Sequence, residues 1–375
     1  IIDYRGKTPK KLGGDWSTQG IQALSAKNIK TREIVQPDTI RYVDSNMYQS
    51  WMKEEIQRGD ILITSEAPFG EVFYWDSDEK IVLSQRLFAI RCKKEYYSPF
   101  VFQYMTSERF QCELSGRATG TTVTGLRQPE LLKCLVSLPD DYQEQCTIAD
   151  ALSAIDARIA LNKKINHHLH ELLQGYFCWF RNESNEKDYG PLSQICSYSN
   201  SRISVETLTL NSYYSTENML PNKAGSVVAS SLPAMSLATK CTPGDTLVSN
   251  IRPYFKKIVF CEKECGCSTD VLCFKPINEW FAPYLFCVLY EDKFFDYMMA
   301  GSKGTKMPRG DKQQIMNYRI VIPTEEDRKD FAKFAMPILE QIEKNEQEVQ
   351  ILSSLRDSLL PKLMSGEIDV SKIDI

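Results

Sequence analysis

Two stretches of this chain, offset by about 184 residues, carry the same features in the same order. Arg58-Gly59-Asp60-Ile61-Leu62-Ile63-Thr64-Ser65 matches Pro243-Gly244-Asp245-Thr246-Leu247-Val248-Ser249-Asn250. Each is followed by a proline and an aromatic residue, Pro68-Phe69 and Pro253-Tyr254. Ser98-Pro99-Phe100-Val101-Phe102 matches Ala282-Pro283-Tyr284-Leu285-Phe286, Gly120-Thr121 matches Gly304-Thr305, and Ser137-Leu138-Pro139 matches Val321-Ile322-Pro323. Ser25-Ala26-Lys27-Asn28-Ile29 lines up with Ser215-Thr216-Glu217-Asn218-Met219 at a slightly different offset, as loop insertions produce. Solenoid repeats run to about 20–50 residues. A period this long describes two copies of a whole domain, and two related domains suit a target with two halves.

At 375 residues the chain is long enough for two or three domains with cores of their own. Its longest apolar stretch, 281–290, contains Pro283 and is too short to span a bilayer. No secretory pattern is present, and the twelve cysteines are scattered, so reduced thiols and a cytoplasmic location are expected. The chain starts at Ile-Ile-Asp rather than Met, so the first domain is expected to be incomplete at its N-terminus.

The net charge of −4 argues against a simple nucleic-acid binder, but its distribution does not. Residues 1–140 are net +1 and residues 188–324 net +2, whereas 141–187 carry −2 and 325–375 carry −5. Basic residues bunch at Arg5, Lys7, Lys10 and Lys11, at Arg252, Lys256 and Lys257, and at Lys303, Lys306, Arg309 and Lys312. For a protein that follows phosphates, bunching matters more than net charge.

Each repeat is followed by a long helical pattern. Ile148, Leu152, Ile155, Ile159, Asn162, Asn166, Leu169, Leu173, Tyr176 and Phe180 step by four and three, as do Phe331, Ala335, Ile338, Ile342, Asn345, Val349, Leu352, Arg356, Leu359 and Leu363. That spacing places one stripe along each helix, as a coiled-coil seam requires. In the repeat register Asn162 falls on Asn345, so antiparallel pairing is expected, with these two asparagines near its middle. Ile155, Ile159, Asn162, Ile342, Asn345 and Val349 are the candidate spacer residues. From Ile148 to Phe180 the helix would run roughly 50 Å at 1.5 Å per residue, about one and a half turns of B-DNA at roughly 34 Å per turn. Pro337 is expected to kink the second helix or to precede its start, and Pro361 to mark its fraying end.

Within each repeat the pattern mixes strands and helices, which defines an α+β class. Asp60–Thr64 and Asp245–Ser249 are expected to be buried strands entered by Gly-Asp turns, and 81–91 and 268–275 further strands. Residues 99–114 and 283–299 are expected to be amphipathic helices with proline in the first turn. Glycine-rich polar loops follow, at 115–128 and 301–312, and Leu135–Leu138 would form a short strand. Thr121, Thr122, Thr124 and Arg127 in one loop, and Thr305, Lys306 and Arg309 in the other, suit phosphate contacts.

The order and duplication of these features resemble the specificity subunits of type I restriction-modification systems. Three further stretches carry the resemblance: the Arg58-Gly-Asp-Ile-Leu-Ile-Thr64 strand, Ser215-Thr-Glu-Asn-Met-Leu-Pro-Asn222, and the tail Leu355-Arg-Asp-Ser-Leu-Leu-Pro-Lys-Leu-Met-Ser-Gly-Glu-Ile-Asp-Val370. So do the steps Leu138-Pro139 and Ile322-Pro323, each leading into a long acidic helix. The resemblance covers essentially the whole chain. It implies two homologous mixed α/β target recognition domains, at 1–140 and 188–324, separated by two long helices forming an antiparallel coiled coil, within 141–187 and 325–375. It implies a non-catalytic subunit that binds double-stranded DNA, each domain reading half of a split, asymmetric sequence. The helices would act as a ruler and as docking surface for two adenine methyltransferase subunits, which restriction-translocase subunits join. S-adenosylmethionine, Mg and ATP would belong to those partners, and the chain itself would hold no cofactor.

The residues are compatible with a subunit that is not an enzyme. No Asn-Pro-Pro-aromatic or Asp-Pro-Pro-aromatic run is present, Arg252-Pro253-Tyr254-Phe255 being the nearest, no Gly-x-Gly loop occurs, and no full Walker-type Gly-x-x-x-x-Gly-Lys-Ser/Thr motif for ATP is present. His167, His168 and His170 suit a solvated helix face better than a metal site. Two alternatives stay open. Asp60 with Asp78-Glu79-Lys80 has a spacing like that of a metal-dependent nuclease core, which a stand-alone DNA-acting enzyme would need. A protein–protein scaffold is the other. Cys261, Cys265, Cys267 and Cys273 cluster without the usual zinc spacing. The candidate DNA contacts are Arg5, Lys7, Lys10, Lys11, Thr121, Thr122 and Arg127 in the first domain. In the second they are Arg202, Lys223, Arg252, Lys256, Lys303, Lys306 and Arg309.

Overall fold

Gly59 and Gly244, at φ +94° and +89°, adopt the left-handed backbone that a β-carbon disfavours, and each turns the chain into an aspartate. Asp60 accepts the Gln57 amide (2.8 Å) and Asp245 the Thr242 amide (2.8 Å), which closes both turns. The apolar residues that follow, Ile61–Thr64 and Thr246–Ser249, become the buried central strands of two sheets. The structure, a computed structural model, describes residues 1–119, 124–183 and 188–368. It divides into two units, Ile1–Ala157 with Ser353–Ile375, and Arg158–Leu352.

In the first unit the main sheet has the order Ile2–Asp3, Leu87–Ile90, Ile61–Thr64, Val72–Tyr74, antiparallel throughout, with Leu62 opposite Ala89. In the second unit the order is Cys196–Tyr198, Val271–Pro276, Thr246–Ser249, Ile258–Phe260, again antiparallel, with Leu247 opposite Cys273. The strand order is identical. The companion sheets differ. The first unit orders Arg41–Val43, Ile21–Leu24, Ile81–Leu83, and the second Arg202–Ser204, Leu237–Cys241, Cys265–Cys267, Tyr213–Tyr214. Each companion sheet contains one parallel pair.

The repeated Ser-x-x-Asn is a structural device in both units. Asn28 and Asn218 are buried and accept the amides of Ser25 (3.2 Å) and Ser215 (2.6 Å). Their side-chain amides donate onward to Gln36 O and Thr39 Oγ1, and to Tyr213 O and Val227 O. A buried amide with every group bonded fixes a loop that has no ladder of its own.

Several expected elements are divided. The segment 81–91 is two strands in different sheets, because Arg86, at φ 64°, reverses the chain between them. The segment 268–275 narrows to Val271–Pro276. The helix expected over 99–114 breaks into Ser98–Thr106 and Glu108–Gly116 at extended Ser107, whose hydroxyl caps the second piece at the Phe110 amide. Its counterpart breaks into Ala282–Tyr290 and Asp292–Ala300 at extended Glu291, which pairs with Arg181 at 2.9 Å. Leu135–Leu138 forms no ladder among the described residues, whereas Arg319–Ile322 pairs with Asp188–Pro191.

The two long helices span Tyr142–Glu183 and Glu325–Met364, and each contributes to both units. The second is one helix through Pro337, so that proline does not mark its start. In the first unit Ile148, Ala149 and Leu152 share a core with Leu360 and Leu363, beneath Phe100, Phe110 and Leu114. In the second unit Leu173 and Phe177 share one with Phe331, Ala335 and Ile342, against Tyr284 and Phe286. Within the second unit numbers rise along one helix as they fall along the other, from Arg158–Glu348 (2.7 Å) to Asn166–Asn345 (2.7 Å), so the pairing there is antiparallel. Ile159, Asn162, Ile342 and Asn345 are buried, and Ile155 and Val349 half-buried.

Asn162 and Asn345 both lie buried in the seam, but the side-chain partner of Asn345 across it is Asn166. The Asn345 amide donates to Asn166 Oδ1, and Asn166 donates to Ile342 O at 3.0 Å. Asn162 and Asn345 are equivalent by repeat, but antiparallel helices bring equivalent positions face to face only at a two-fold axis. One helical turn further along, Asn166 takes the contact.

A half-buried polar cluster lies beside this seam. His170, expected on a solvated face, instead stacks on Tyr290 at 4.9 Å, and burial lowers its pKa to about 4, with help from His167 and Lys223. Burial, then Glu343 and Glu262, pushes Glu346 up to about 8. Burial, then Glu343 and Glu340, pushes Glu262 up to about 7 against the pull of Lys344. A carboxyl with a raised folded pKa binds its proton more tightly when folded, so its stabilising effect fades as pH rises from about 4.5 through that value. A histidine with a lowered folded pKa destabilises as pH falls below about 6.5. These trends oppose each other below pH 6.5; above it only the carboxyl effect remains. The thermal transition of the second unit should therefore fall between pH 6.5 and 8. Glu346→Gln should flatten that fall in scanning calorimetry; an unchanged slope would refute the assignment.

Candidate nucleic-acid interface

In the first unit a cleft of about 640 Å³ opens between the N-terminal segment, the exit of the central strand and the glycine-rich loop. Arg5, Lys11 and Arg127 line it, together with Glu66, Arg86 and Thr119. The loop is held by a two-residue bridge, Thr119 opposite Gly125, and by the Leu126 amide on Ser65 O (2.8 Å).

The candidate cations do different things here. Arg5 binds Asp3 through two nitrogens (3.0 and 2.9 Å), donates to Leu126 O (3.1 Å) and covers the Phe88 ring at 3.8 Å, so it braces the loop. Lys7 donates to Trp51 O at 2.7 Å, and burial followed by Lys53 lowers its pKa. Lys10, Lys11 and Arg127 are exposed, Lys11 bonding Gly6 O at 2.7 Å. Thr121 and Thr122 lie outside the described residues. Sequence inspection missed Arg86, which is half exposed at the cleft and pairs with Glu66 at 2.9 Å. Its position after a buried strand was the available signal.

The second unit builds the same frame with different side chains. The Asn250 amide bonds Asp270 O (2.8 Å) as the Ser65 amide bonds Arg86 O (2.8 Å), and Lys303 lies opposite Arg309 as Thr119 lies opposite Gly125. Arg309 pairs with Asp270 at 3.1 Å, and Lys303 with Asp311 at 2.7 Å, which raises the lysine and lowers the carboxyl. Lys223 and Lys256 share Asp292 at 2.7 and 3.0 Å and hold that carboxyl low. Their turns are joined, since the Lys223 amide donates to Lys256 O (2.9 Å) and the Arg252 amide to Pro308 O (2.8 Å). Lys306 is exposed on the loop. Arg202 lies apart from these turns, on the companion sheet, bonded to Thr239 at 3.1 Å. The loop thus gathers Arg252, Lys303, Lys306 and Arg309, with Lys223 and Lys256 next to them.

The nuclease and zinc spacings assemble no such centre. Asp60 is buried and bonded by Arg91 (2.9 and 2.7 Å), and Asp78 binds Arg58 (2.9 Å). All twelve cysteines are free thiols; Cys261, Cys265, Cys267 and Cys273 are buried with Cys241 in an apolar core. Among the described residues no group of three or more His, Cys, Asp or Glu side chains is arranged to hold a metal ion.

Each unit thus sets basic side chains on a loop of the same frame and includes part of both long helices. Residues 6–171 match the family described as type I restriction modification DNA specificity domain. The chain is 25% identical over 347 residues to the type I restriction enzyme MjaIX specificity subunit of Methanocaldococcus jannaschii, covering 84% of this chain and 79% of that one. It is 27% identical over 156 residues to the MjaVIII specificity subunit of the same organism, covering 40% of this chain and 36% of that one. The crystal structure of the type I restriction-modification system S subunit from M. genitalium shares the fold, with a TM-score of 0.56 over 97% of this chain and 93% of that one at 16% identity. The chain is thus similar to type I restriction-modification specificity subunits over most of its length, and its residues 6–171 match their DNA specificity domain. Among the described residues no helix is long and apolar enough to cross a membrane.

Proposed function

We propose that this chain reads a bipartite, asymmetric DNA sequence, one half with each unit, and docks two adenine methyltransferase subunits that modify it. The observation that carries this reading is the duplicated frame with unlike charges. Arg86 and Glu66 edge one loop where Asp270 and Arg309 edge the other, and Thr119 and Gly125 stand where Lys303 and Arg309 do. A shared backbone positions equivalent loops on a duplex, and different side chains on it meet different base edges. Exposed Lys10, Lys11, Arg127 and Lys306 supply phosphate attraction. The paired helices, with Ile159, Asn162, Ile342 and Asn345 in their seam, set the spacing between half-sites.

Docking falls to the outer face of the first long helix. Leu161, Ile165, Leu172 and Trp179 lie there in steps of four and seven, exposed by 48%, 37%, 53% and 55%. The chain acts without catalysis of its own, and S-adenosylmethionine, Mg and ATP belong to the methyltransferase and the restriction-translocase subunits.

Methylome sequencing of cells making this chain with its neighbouring methyltransferase subunit tests the reading. A new split, asymmetric adenine-methylation motif is expected. A palindromic motif would contradict the two-reader model, and unchanged methylation with both proteins present would contradict the function.

A further inference from the structure

Of the eight residues other than glycine with positive φ among those described, four lie in two joined turns of the second unit: Asn222 (57°), Lys223 (61°), Arg252 (49°) and Lys256 (51°). Arg252 is strained further because it precedes Pro253, which favours extended backbone before it. Such conformations cost about 1–3 kcal/mol each and persist where surrounding structure enforces them, most often at ligand clamps. Here the enforcement is visible. The Arg252 amide is held by Pro308 O, Phe255 N–H bonds Arg252 O (3.0 Å), Lys256 N–H bonds Pro253 O (2.8 Å), and Asn222 N–H bonds Phe255 O (2.7 Å).

What this rigid turn presents is aromatic. Tyr254 and Phe255 are 47% and 37% exposed, with ring centroids 4.7 Å apart. Around them stand Arg252, Lys256 and Lys257, the last 5.8 Å from the Phe255 ring, and the turn is bonded directly to the loop carrying Lys306 and Arg309. The matching turn of the first unit repeats the strain, at Ala67 (46°) before Pro68 and at Gly70 (75°), but there Phe69 is partly buried against the core. Of these two turns, the one in the second unit carries the exposed aromatics.

We infer that the Tyr254–Phe255 turn is a stacking wedge that enters the duplex at the half-site read by the second unit, with the surrounding cations on the flanking phosphates. This rests on the DNA-recognition reading. Aromatic faces stack on any unstacked base, and apolar wedges of this kind open base steps. A methyltransferase must take its adenine out of the stack, so a step already opened nearby lowers the cost of that extraction.

The test uses the chain with its methyltransferase subunit and a duplex of the methylated motif, with 2-aminopurine placed in turn along the second unit's half-site. Wild-type protein should raise the fluorescence at one step. Tyr254→Ala/Phe255→Ala should abolish the rise and weaken binding by roughly tenfold or more, and Tyr254→Phe/Phe255→Tyr should restore both. Phe69→Ala should leave the rise intact. Tight wild-type binding with no rise at any position overturns the wedge and leaves DNA recognition standing, whereas absence of wild-type binding overturns both. Loss of methyltransferase capture by the alanine variant, with DNA affinity unchanged, would make the turn a protein contact and overturn the wedge. Phe255→Ala alone, at a half-exposed side chain, serves if the double variant does not fold.

Discussion

Asp156→Ala is expected to destabilise the first unit by about 3–5 kcal/mol, the usual result of stripping a buried ion pair of one partner. Asp156 Oδ1 receives Arg32 Nε at 3.1 Å and Arg356 Nη1 at 3.0 Å, and Oδ2 receives Gln103 Nε2 at 2.9 Å. Arg32 also donates to Gln103 (2.7 Å) and Thr106 (2.9 Å). Both guanidiniums are mostly buried, with side chains 14% and 16% exposed. Burial pulls Arg32 down to about 10 even though Asp156 pulls the other way, so the carboxylate is what keeps that charge tolerable inside. Removing it leaves Arg32 without its carboxylate and Arg356 paired only with the exposed Asp357 (2.8 Å). The network joins both long helices to the body of the first unit, so its loss should appear as an early unfolding transition in urea, with the second unit's transition unmoved. Replacing all three by apolar residues, Arg32→Met/Asp156→Leu/Arg356→Met, should recover most of the loss. A single-variant loss below about 1 kcal/mol would mean the cluster is solvated in solution.

Leu161→Glu/Leu172→Glu is expected to abolish capture of the methyltransferase subunits while leaving the fold intact. Both side chains are exposed, so their replacement removes no core contact and should shift the thermal midpoint little. Charges at the centre of an apolar contact are costly, and a weakening of roughly a hundredfold or more is the expected scale. Sedimentation of the purified chain with the methyltransferase subunit reads the effect directly. Unaltered assembly would move the docking site to another face. Leu132 and Leu135, also exposed on the first unit, are the next to test.

The sequence by itself determined the duplication, the two Gly-Asp strand entries, the helix seams and the glycine-rich loops. Each of these is a local property: a positive φ at Gly59 and Gly244, a heptad spacing, or a cluster of turn residues, all written in neighbouring positions. Its class followed from their order. Tertiary structure alone decided which distant groups meet. Asn345 finds Asn166 instead of its repeat-mate Asn162 because antiparallel pairing follows a different arithmetic from duplication. Arg5 and Lys7 are drawn into structural bonds with Asp3, Leu126 and Trp51, while Arg86 reaches the cleft. His170 is half-buried and stacked on Tyr290, on a helix more than a hundred residues away. Periodicity shows which face of a helix is apolar. It does not say what will cover that face, because the covering residues lie more than a hundred positions away and are chosen by the packing of the whole unit.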